Sequence, residues 1–136
     1  MNCKVRLATK EDEALIRQIH KESSKQIGSF NLFYIWDNFL ARKNKYRYYV
    51  IDGVGFVRHG YSKILKCYSI KEFGVLNEFK GKGYAELLFN HCKTPIYLTC
   101  NLDNERGNAF YKKIGMKFKG VKTSRNGKNK MNVWVK

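Results

Sequence analysis

The chain has 136 residues, of which 43% are apolar and 15% aromatic, and it contains a single proline. This length suits one domain spanning residues 1–136, and the composition excludes collagen-like, low-complexity and intrinsically disordered chains. The 27 basic and 11 acidic residues give a net charge of +16. Such a charge indicates an anionic ligand or, equally well, lysines that only solvate the surface.

No apolar run approaches the roughly 20 residues that a membrane-spanning helix needs, and the N-terminus lacks a signal-peptide pattern. We therefore expect a cytoplasmic protein that does not cross a membrane. The cysteines and histidines are scattered without metal-ligand spacing, which predicts no metal, reduced thiols and structural histidines. These residues are Cys3, Cys67, Cys92, Cys100, His20, His59 and His91.

In chain order, a short strand ends at Thr9, and the sequence Thr9-Lys10-Glu11-Asp12 has the pattern of a helix N-cap followed by acidic residues. Apolar residues at helical spacing then predict a helix that stops near Gly28, and a second helix is predicted over residues 30–41. From residue 46 the apolar period changes to two. Residues 46–51 and 54–58, joined by Asp52-Gly53, predict a hairpin with a tight primed turn.

The second half continues with a predicted strand at 64–76, a helix at 81–92, a buried strand at 95–100 and a helix at 104–114. Residues 116–123 and 132–135 predict a closing hairpin with Asn126-Gly127 in its turn. This order predicts an α/β sandwich around a mixed, mostly antiparallel sheet.

A glycine pair, Gly81 and Gly83, lies where the strand at 64–76 gives way to the helix at 81–92. Glycines let a backbone approach a ligand closely, and the first turn of a helix offers unpaired N–H groups that suit a diphosphate. The loop is not a P-loop, since no Lys-Ser or Lys-Thr follows, and Glu86 replaces the third glycine of a dinucleotide fingerprint. An ordinary tight turn is the alternative interpretation.

A second block, residues 104–118, reads NERGNAFYKKIGMKF. Together with Lys80-Gly81-Lys82-Gly83-Tyr84-Ala85, it resembles the GCN5-related N-acetyltransferase (GNAT) family, whose pyrophosphate loop and Asn-x-x-Ala-x-x-Phe-Tyr-x-Lys-x-Gly-Phe block it matches without gaps. The likeness is close over residues 70–118 and looser over most of the chain. The resemblance implies a GNAT-type mixed, mostly antiparallel sheet with helices on both faces and a splayed strand pair that forms the coenzyme A cleft.

The resemblance also implies an acetyltransferase that uses acetyl-CoA as co-substrate, needs no metal and transfers the acetyl group directly to an amine. The backbone amides of the loop would bind the pyrophosphate, Val75 would contact the pantetheine arm and supply an oxyanion-stabilising amide, and Asn104 would hydrogen-bond that arm. The full cofactor-binding set is Val75, Lys80, Gly81, Lys82, Gly83, Tyr84, Ala85, Asn104 and Phe110.

For catalysis, the resemblance assigns Tyr111 as the proton donor to the departing thiolate, because a phenol stays protonated at neutral pH. Glu72 is the predicted general base, acting through water on an amine that is mostly protonated at pH 7. The alternatives are that Tyr111 is a core aromatic and that Glu72 is a surface carboxylate paired with a lysine. Two departures from the family pattern matter for the site: Lys80 replaces Arg or Gln, and Gly107 replaces Ala, which softens its helix by about 1 kcal/mol.

The acceptor is a small-molecule or peptide amine, and we expect its site near residues 26–30 with Tyr34, Trp36 and Asp37, and near the closing hairpin at 125–128. Positive charge there would disfavour a polyamine. Basic and aromatic residues alternate over 42–49, which fits either a nucleic-acid surface or one exposed strand face. The alternative functions are a GNAT-fold transferase that modifies a DNA base or an RNA-linked amine, and a coenzyme-binding module without turnover. The sequence leaves monomer and dimer equally open.

Overall fold

The computed structural model describes residues 4–23, 32–41 and 45–136. Within these residues the chain forms seven strands and four helices longer than one turn. The strands are β1 (Val5–Leu7), β2 (Arg47–Ile51), β3 (Gly55–Ser62), β4 (Cys67–Val75), β5 (Ile96–Asn101), β6 (Lys117–Thr123) and β7 (Lys130–Val135). The helices are α1 (Glu13–Glu22), α2 (Leu32–Leu40), α3 (Tyr84–His91) and α4 (Glu105–Lys113), with 3₁₀ turns at Lys10–Asp12 and Asn77–Phe79.

All strands join one sheet in the order β1-β2-β3-β4-β5-β7-β6. Neighbouring strands are antiparallel except for β4 and β5, which are parallel and pair only at Tyr68 with Ile96 and at Ser69 with Tyr97. Beyond those two pairs β4 continues to Val75 and β5 to Asn101 without mutual hydrogen bonds. The predicted splayed strand pair is therefore present at the centre of the sheet.

Helices cover both faces of the sheet, as predicted. On one face, α1 and α2 pack against β2 and β3 through a core that we call core A, and on the other face α3 and α4 enclose core B. Core A consists of Ala8, Ile16, Ile19, Trp36, Phe39, Tyr48, Val50 and Phe56. Core B includes Ile51, Val57, Ile70, Val75, Leu88, Phe89, Leu98, Tyr111 and Trp134. Alternate residues of β2 enter opposite cores because successive side chains of a strand point to opposite faces.

The hairpin between β2 and β3 is confirmed, but its turn is wider than the predicted two-residue primed turn. Ile51 pairs with Gly55, so residues 52–54 form a three-residue loop. Gly53 has a positive φ of 66°, whereas Asp52 does not. Val54 is fully buried in core B, and burying this side chain explains why the loop takes the longer form.

The first helix begins as predicted, with one difference in its opening turn. The Thr9 amide donates to the Asp12 carboxylate at 2.8 Å, which is half of a capping box. The first turn is 3₁₀ over Lys10–Asp12, and the α-helix starts at Glu13. The predicted stop at Gly28 lies outside the described residues. No helix within the described residues is long and apolar enough to span a membrane.

Candidate active site

The divergence of β4 and β5 opens a cavity of about 480 Å³ between them. This volume falls within the range of roughly 300 to 1,000 Å³ that is typical of small-molecule sites. Its walls come mainly from the second half of β4, the loop before α3, the second half of β5 and α4. Nearly every site residue predicted from the sequence lies in these walls.

The loop before α3 leaves its backbone open towards this cavity. Gly81 and Gly83 have positive φ values of 78° and 89°, a conformation that L side chains rarely adopt. A Cβ atom at either position would have no heavy atom within 4 Å, so the space above the loop is free for a ligand. Gly83 is the N-cap of α3, and the first hydrogen bond of the helix runs from the Leu87 amide to the Gly83 carbonyl at 3.2 Å. The preceding amides, 84 to 86, therefore have no partner within the helix.

Two cations border the loop. Lys80 and Arg106 both line the cavity, and burial lowers the pKa of Lys80, with the nearby Arg106 charge adding to the effect. Like charges held close together destabilise a protein unless an anion binds between them. Together with the free amides, this pair makes the loop suitable for a diphosphate.

Asn104 and Gly107 fit together at the start of α4. The Asn104 side chain caps the helix by accepting a hydrogen bond from the Gly107 amide at 2.9 Å. A Cβ atom on Gly107 would lie 2.6 Å from Asn104 Nδ2 and 3.0 Å from Cys100 Sγ. Gly107 is thus more than a mild loss of helix propensity, because its missing side chain makes room for the Asn104 side chain.

Tyr111 lies at the inner end of the cavity. It is 8% exposed, and its ring contacts Phe73 and Phe110 at centroid distances of 5.9 and 5.7 Å. Burial raises the pKa of the Tyr111 phenol well above its usual value, so the phenol is protonated at neutral pH. The two interpretations of Tyr111, as a proton donor and as a core aromatic, are thus compatible, because Tyr111 lines the cavity and also packs in core B.

Glu72 is buried in an ion-pair network that the sequence analysis did not anticipate. Its carboxylate accepts a hydrogen bond from Arg58 Nε, and its Oε2 lies 3.5 Å from His20 Nε2. Burial raises the pKa of Glu72 and Arg58 opposes that rise, leaving the pKa above its usual value. Burial and the Arg58 charge lower the pKa of His20 to about 4. At neutral pH His20 is therefore uncharged. The alternative interpretation of Glu72 as a surface carboxylate is wrong.

A β-bulge places Glu72 in this network. Counting away from the turn between β3 and β4, His59 pairs with Ile70. The next residue of β3, Arg58, pairs with Glu72 and not with Lys71, so Lys71 is the extra residue of the bulge. The extra residue reverses the facing of the strand, so Ile70 packs in core B whereas Glu72 faces α1. An unbulged hairpin would instead place Arg58 opposite Lys71, and these like charges would repel.

The main chain of Val75 also faces the cavity. The Leu76 amide donates to the Val54 carbonyl at 2.9 Å, on the β3 side of the strand. Since amides alternate between the two edges of an antiparallel strand, the Val75 amide points to the opposite edge, where β5 has diverged. A free amide is thus directed into the gap.

Other predicted residues lie elsewhere. Lys82 does not line the cavity, and its ammonium lies 5.9 Å from the centre of the Phe79 ring. Of the expected acceptor residues, Trp36 is 1% exposed within core A, and none of residues 125–128 lines the cavity. Residues 26–30 and the Tyr34 side chain lie outside the described part of the chain. Arg58 and His20 were not predicted, since only the register of β3 and β4 pairs Arg58 with Glu72, and only the packing of α1 on the sheet brings His20 near it.

Neither a protein-family model nor a curated protein sequence matches this chain. Solved structures do. NAA60 from Arabidopsis thaliana, in complex with acetyl-CoA, superposes with a TM-score of 0.74 at 15% identity, covering 98% of this chain and 97% of that one. A variant of the spermidine N-acetyltransferase SpeG from Vibrio cholerae has a TM-score of 0.76 at 16% identity, with coverage of 98% and 92%.

A Desulfovibrio desulfuricans protein described as an acetyltransferase of the GNAT family has a TM-score of 0.73 at 12% identity, covering 98% of this chain and 97% of that one. Identities this low carry information about architecture and not about substrate. The agreement extends over nearly the whole length of each protein. The chain therefore has the fold of the GCN5-related N-acetyltransferases.

Proposed function

We propose that this protein is an acetyltransferase that moves the acetyl group of acetyl-CoA directly to an amine. The observation that carries the proposal is the single cavity between β4 and β5, which collects the glycine loop, Tyr111 and Glu72 in its walls. Acetyl-CoA supplies an acetyl group activated as a thioester. The remaining chemistry is binding, proton removal and proton donation, for which the chain provides its own groups.

Binding of the donor falls to the loop before α3 and to the edge of β4. The amides at the start of α3, with Lys80 and Arg106, would hold the diphosphate. The Val75 amide would hydrogen-bond the pantetheine arm of the coenzyme in the gap between β4 and β5. It would also stabilise the negative charge that develops on the carbonyl oxygen of the thioester during acetyl transfer. Asn104 stays a predicted contact of the same arm.

Glu72 would remove a proton from the acceptor amine. Its raised pKa makes its carboxylate a stronger base than an exposed carboxylate, and the ion pair with Arg58 favours the ionised form. Because Glu72 faces α1 and Tyr111 packs on the other side of the sheet, the acceptor would enter from the α1 side. Tyr111 would protonate the departing sulfur from the opposite side of the gap.

The charges of the cavity indicate the class of acceptor. Four cations line it, Lys71, Lys80, Arg106 and Lys113, against two acids, Glu72 and Glu86. Lys80 and Arg106 are assigned to the diphosphate of the donor, which leaves Lys71 and Lys113 balanced by Glu72 and Glu86. The cavity thus has no excess of carboxylates to bind a polyamine. We therefore propose an acceptor with a single primary amine, such as the α-amine of a peptide.

The activity is tested by incubating the protein with acetyl-CoA and a panel of amines and measuring thiol release. The panel should contain spermidine, peptides with free α-amines, and lysine peptides. Thiol release with at least one peptide amine, with product mass increased by one acetyl group, is the expected result. Tight coenzyme binding without thiol release would instead identify a binding module.

The glycine loop is tested with Gly83→Val and, as a matched control, Gly127→Val. Both positions have positive φ and no heavy atom within 4 Å of an added Cβ, but Gly127 lies in the β6–β7 turn away from the cavity. Both variants carry similar backbone strain, whereas only Gly83→Val obstructs the loop. Calorimetry should show coenzyme A binding weakened by about 1 to 3 kcal/mol in Gly83→Val only. Equal affinities in the two variants would exclude the loop as the diphosphate site.

Glu72→Gln tests the base, with Glu86→Gln as a control that removes the same charge from the same cavity. Glu72→Gln should lower kcat by about 100-fold. In the wild type kcat/KM should rise with pH through the Glu72 pKa, since only the carboxylate accepts a proton, and this rise should disappear in Glu72→Gln alone. A pH profile that both variants leave unchanged would remove Glu72 from the mechanism.

A further inference from the structure

A second cavity of about 280 Å³ lies at the other end of the sheet. It is bordered by the beginnings of β2 and β4, the end of β3 and the carboxyl end of α3. It shares no lining residue with the cavity between β4 and β5. Its volume is close to the lower limit of about 300 Å³ for small-molecule sites, which suits a ligand of one nucleotide.

Positive charge dominates this second cavity. Lys45, Arg47 and Lys93 line it, and none of its lining residues is a carboxylate. The carboxyl end of α3 borders it as well and carries the equivalent of about half a negative charge. Three full positive charges outweigh that dipole, so the cavity attracts anions.

His59 gives the cavity an unsatisfied polar wall. It is 8% exposed, and within the described residues neither ring nitrogen has a hydrogen-bond partner. Burial and the neighbouring His91 lower the pKa of His59 to about 4, so the neutral ring presents one donor and one acceptor. A buried polar group without a partner is costly and is rare in folded proteins. A ligand with polar atoms would satisfy it.

Aromatic rings line the rest of the cavity. Tyr49 stacks on His59 with ring centroids 4.8 Å apart and an interplanar angle of 22°. Tyr61 and Tyr68 meet edge to face at 5.3 Å, and Tyr61 is 45% exposed. Exposed tyrosines beside cations are the pattern by which proteins stack a base while binding its phosphate.

From this arrangement we propose that the second cavity binds a nucleotide, with its phosphate at Arg47, Lys45 and Lys93 and its base against Tyr61. The nucleotide is either free or one unit of a single strand of RNA, because both present the same phosphate and base. This explains the alternating basic and aromatic residues of β2. Arg47 and Tyr49 face the second cavity, whereas Tyr48 and Val50 enter core A.

The test is calorimetric titration of the full chain with UMP, uridine, inorganic phosphate and hexauridylate at one fixed salt concentration. UMP should bind, and uridine and inorganic phosphate should each bind at least about tenfold more weakly, because each lacks one half of the ligand. Tighter binding of hexauridylate than of UMP assigns the site to a strand, and equal binding assigns it to the free nucleotide. Both results support the proposal.

Variants then locate the binding. The double variant Arg47→Gln/Lys93→Gln should weaken UMP binding at least about tenfold through lost charged hydrogen bonds. Lys117→Gln/Lys128→Gln removes the same charge from exposed positions outside both cavities and should change it less than about twofold. Lys80→Gln, in the first cavity, should also leave it unchanged. Tyr61→Ala should weaken UMP binding and leave inorganic phosphate binding unaffected.

The proposal is overturned if UMP does not bind at millimolar concentration or if inorganic phosphate binds as tightly as UMP. It is also overturned if the two double variants weaken binding equally, since that result reports general attraction by a basic surface. Loss of binding in Lys80→Gln would place the nucleotide in the first cavity. None of these outcomes depends on acetyl transfer, so the proposal stands or fails separately from the proposed function.

Discussion

Tyr111 combines two properties that are hard to reconcile from sequence. It packs against Phe73, Phe110 and Trp134 as a core residue would, yet it also forms part of the cavity wall. The burial that raises its pKa keeps the phenol protonated, so in the proposed reaction Tyr111 would act as a donor. Its packing fixes the ring, which limits the loss of side-chain entropy when a substrate binds.

Tyr111→Phe should lower kcat by about 100-fold while leaving the affinity for acetyl-CoA nearly unchanged, because the substitution removes the proton and keeps the packing. Steady-state kinetics and calorimetry measure the two quantities. Tyr97→Phe is the matched control, since Tyr97 lies on β5 outside both cavities. Equal activity of the two variants would show that Tyr111 has a packing role only.

His59 should make the fold sensitive to acid. Its pKa is lowered from its usual 6.5 to about 4 by burial and by His91. As the pH falls below about 6.5, the unfolded chain binds this proton before the folded chain does, so the free energy of unfolding decreases until about pH 4. The shift corresponds to roughly 3 kcal/mol at the acid end.

Urea unfolding at pH 7 and pH 4.5 measures this effect in the wild type and in His59→Phe. The variant should lose less stability than the wild type on acidification, because it lacks His59. It should still lose some, because His20 and His91 titrate in both proteins. Tyr61→Phe, on the same strand and in the same cavity, serves as a control that leaves all three histidines in place. The same acid loss in wild type and His59→Phe would refute the assignment.

Among the elements, β4 shows where prediction from sequence stops. The sequence pattern predicted that a strand precedes the glycine loop and that a helix follows it. The pattern did not predict the bulge at Lys71, because the register shift that places Glu72 opposite Arg58 depends on packing against both α1 and core B. A one-residue difference in register decides which face a side chain occupies, and no local pattern encodes it.

The start of α4 provides a test of packing between neighbouring residues. Gly107→Ala should gain about 1 kcal/mol of helix propensity, but the new Cβ would displace the Asn104 side chain and lose a cap of about 1 kcal/mol. In the wild type the substitution should therefore bring no stabilisation. In an Asn104→Ala background it should stabilise, but by less than about 1 kcal/mol, because the added Cβ would still lie 3.0 Å from Cys100 Sγ.

A double-mutant cycle by urea unfolding measures this coupling between Asn104 and Gly107. A coupling near 1 kcal/mol is expected, because residues in contact deviate from additivity. Additive effects would mean that the Asn104 side chain accommodates the methyl group at no cost.

At the scale of the whole molecule, the order of elements along the chain followed from the sequence pattern. The splayed pair and the helices on both faces were expected only because residues 80–85 and 104–118 resemble the GNAT family. The acceptor site could not be predicted in the same way. In the proposed function it depends on how α1 and β3 meet Glu72. The expectation that included Trp36 was wrong because the aromatic character of this residue fits a core and a binding surface equally well.

The net charge of +16 should make this protein more stable as salt increases. With 27 basic residues and 11 acidic ones, most cations have no carboxylate to pair with, and their mutual repulsion opposes the compact state. Raising NaCl from about 20 to 300 mM shortens the screening length from roughly 20 Å to below 10 Å. Each 1 kcal/mol gained should raise Tm by about 4 °C. Thermal unfolding followed by circular dichroism measures the shift. A lower Tm in salt would mean that the ion pairs of Arg6, Arg17 and Arg58 outweigh the repulsion.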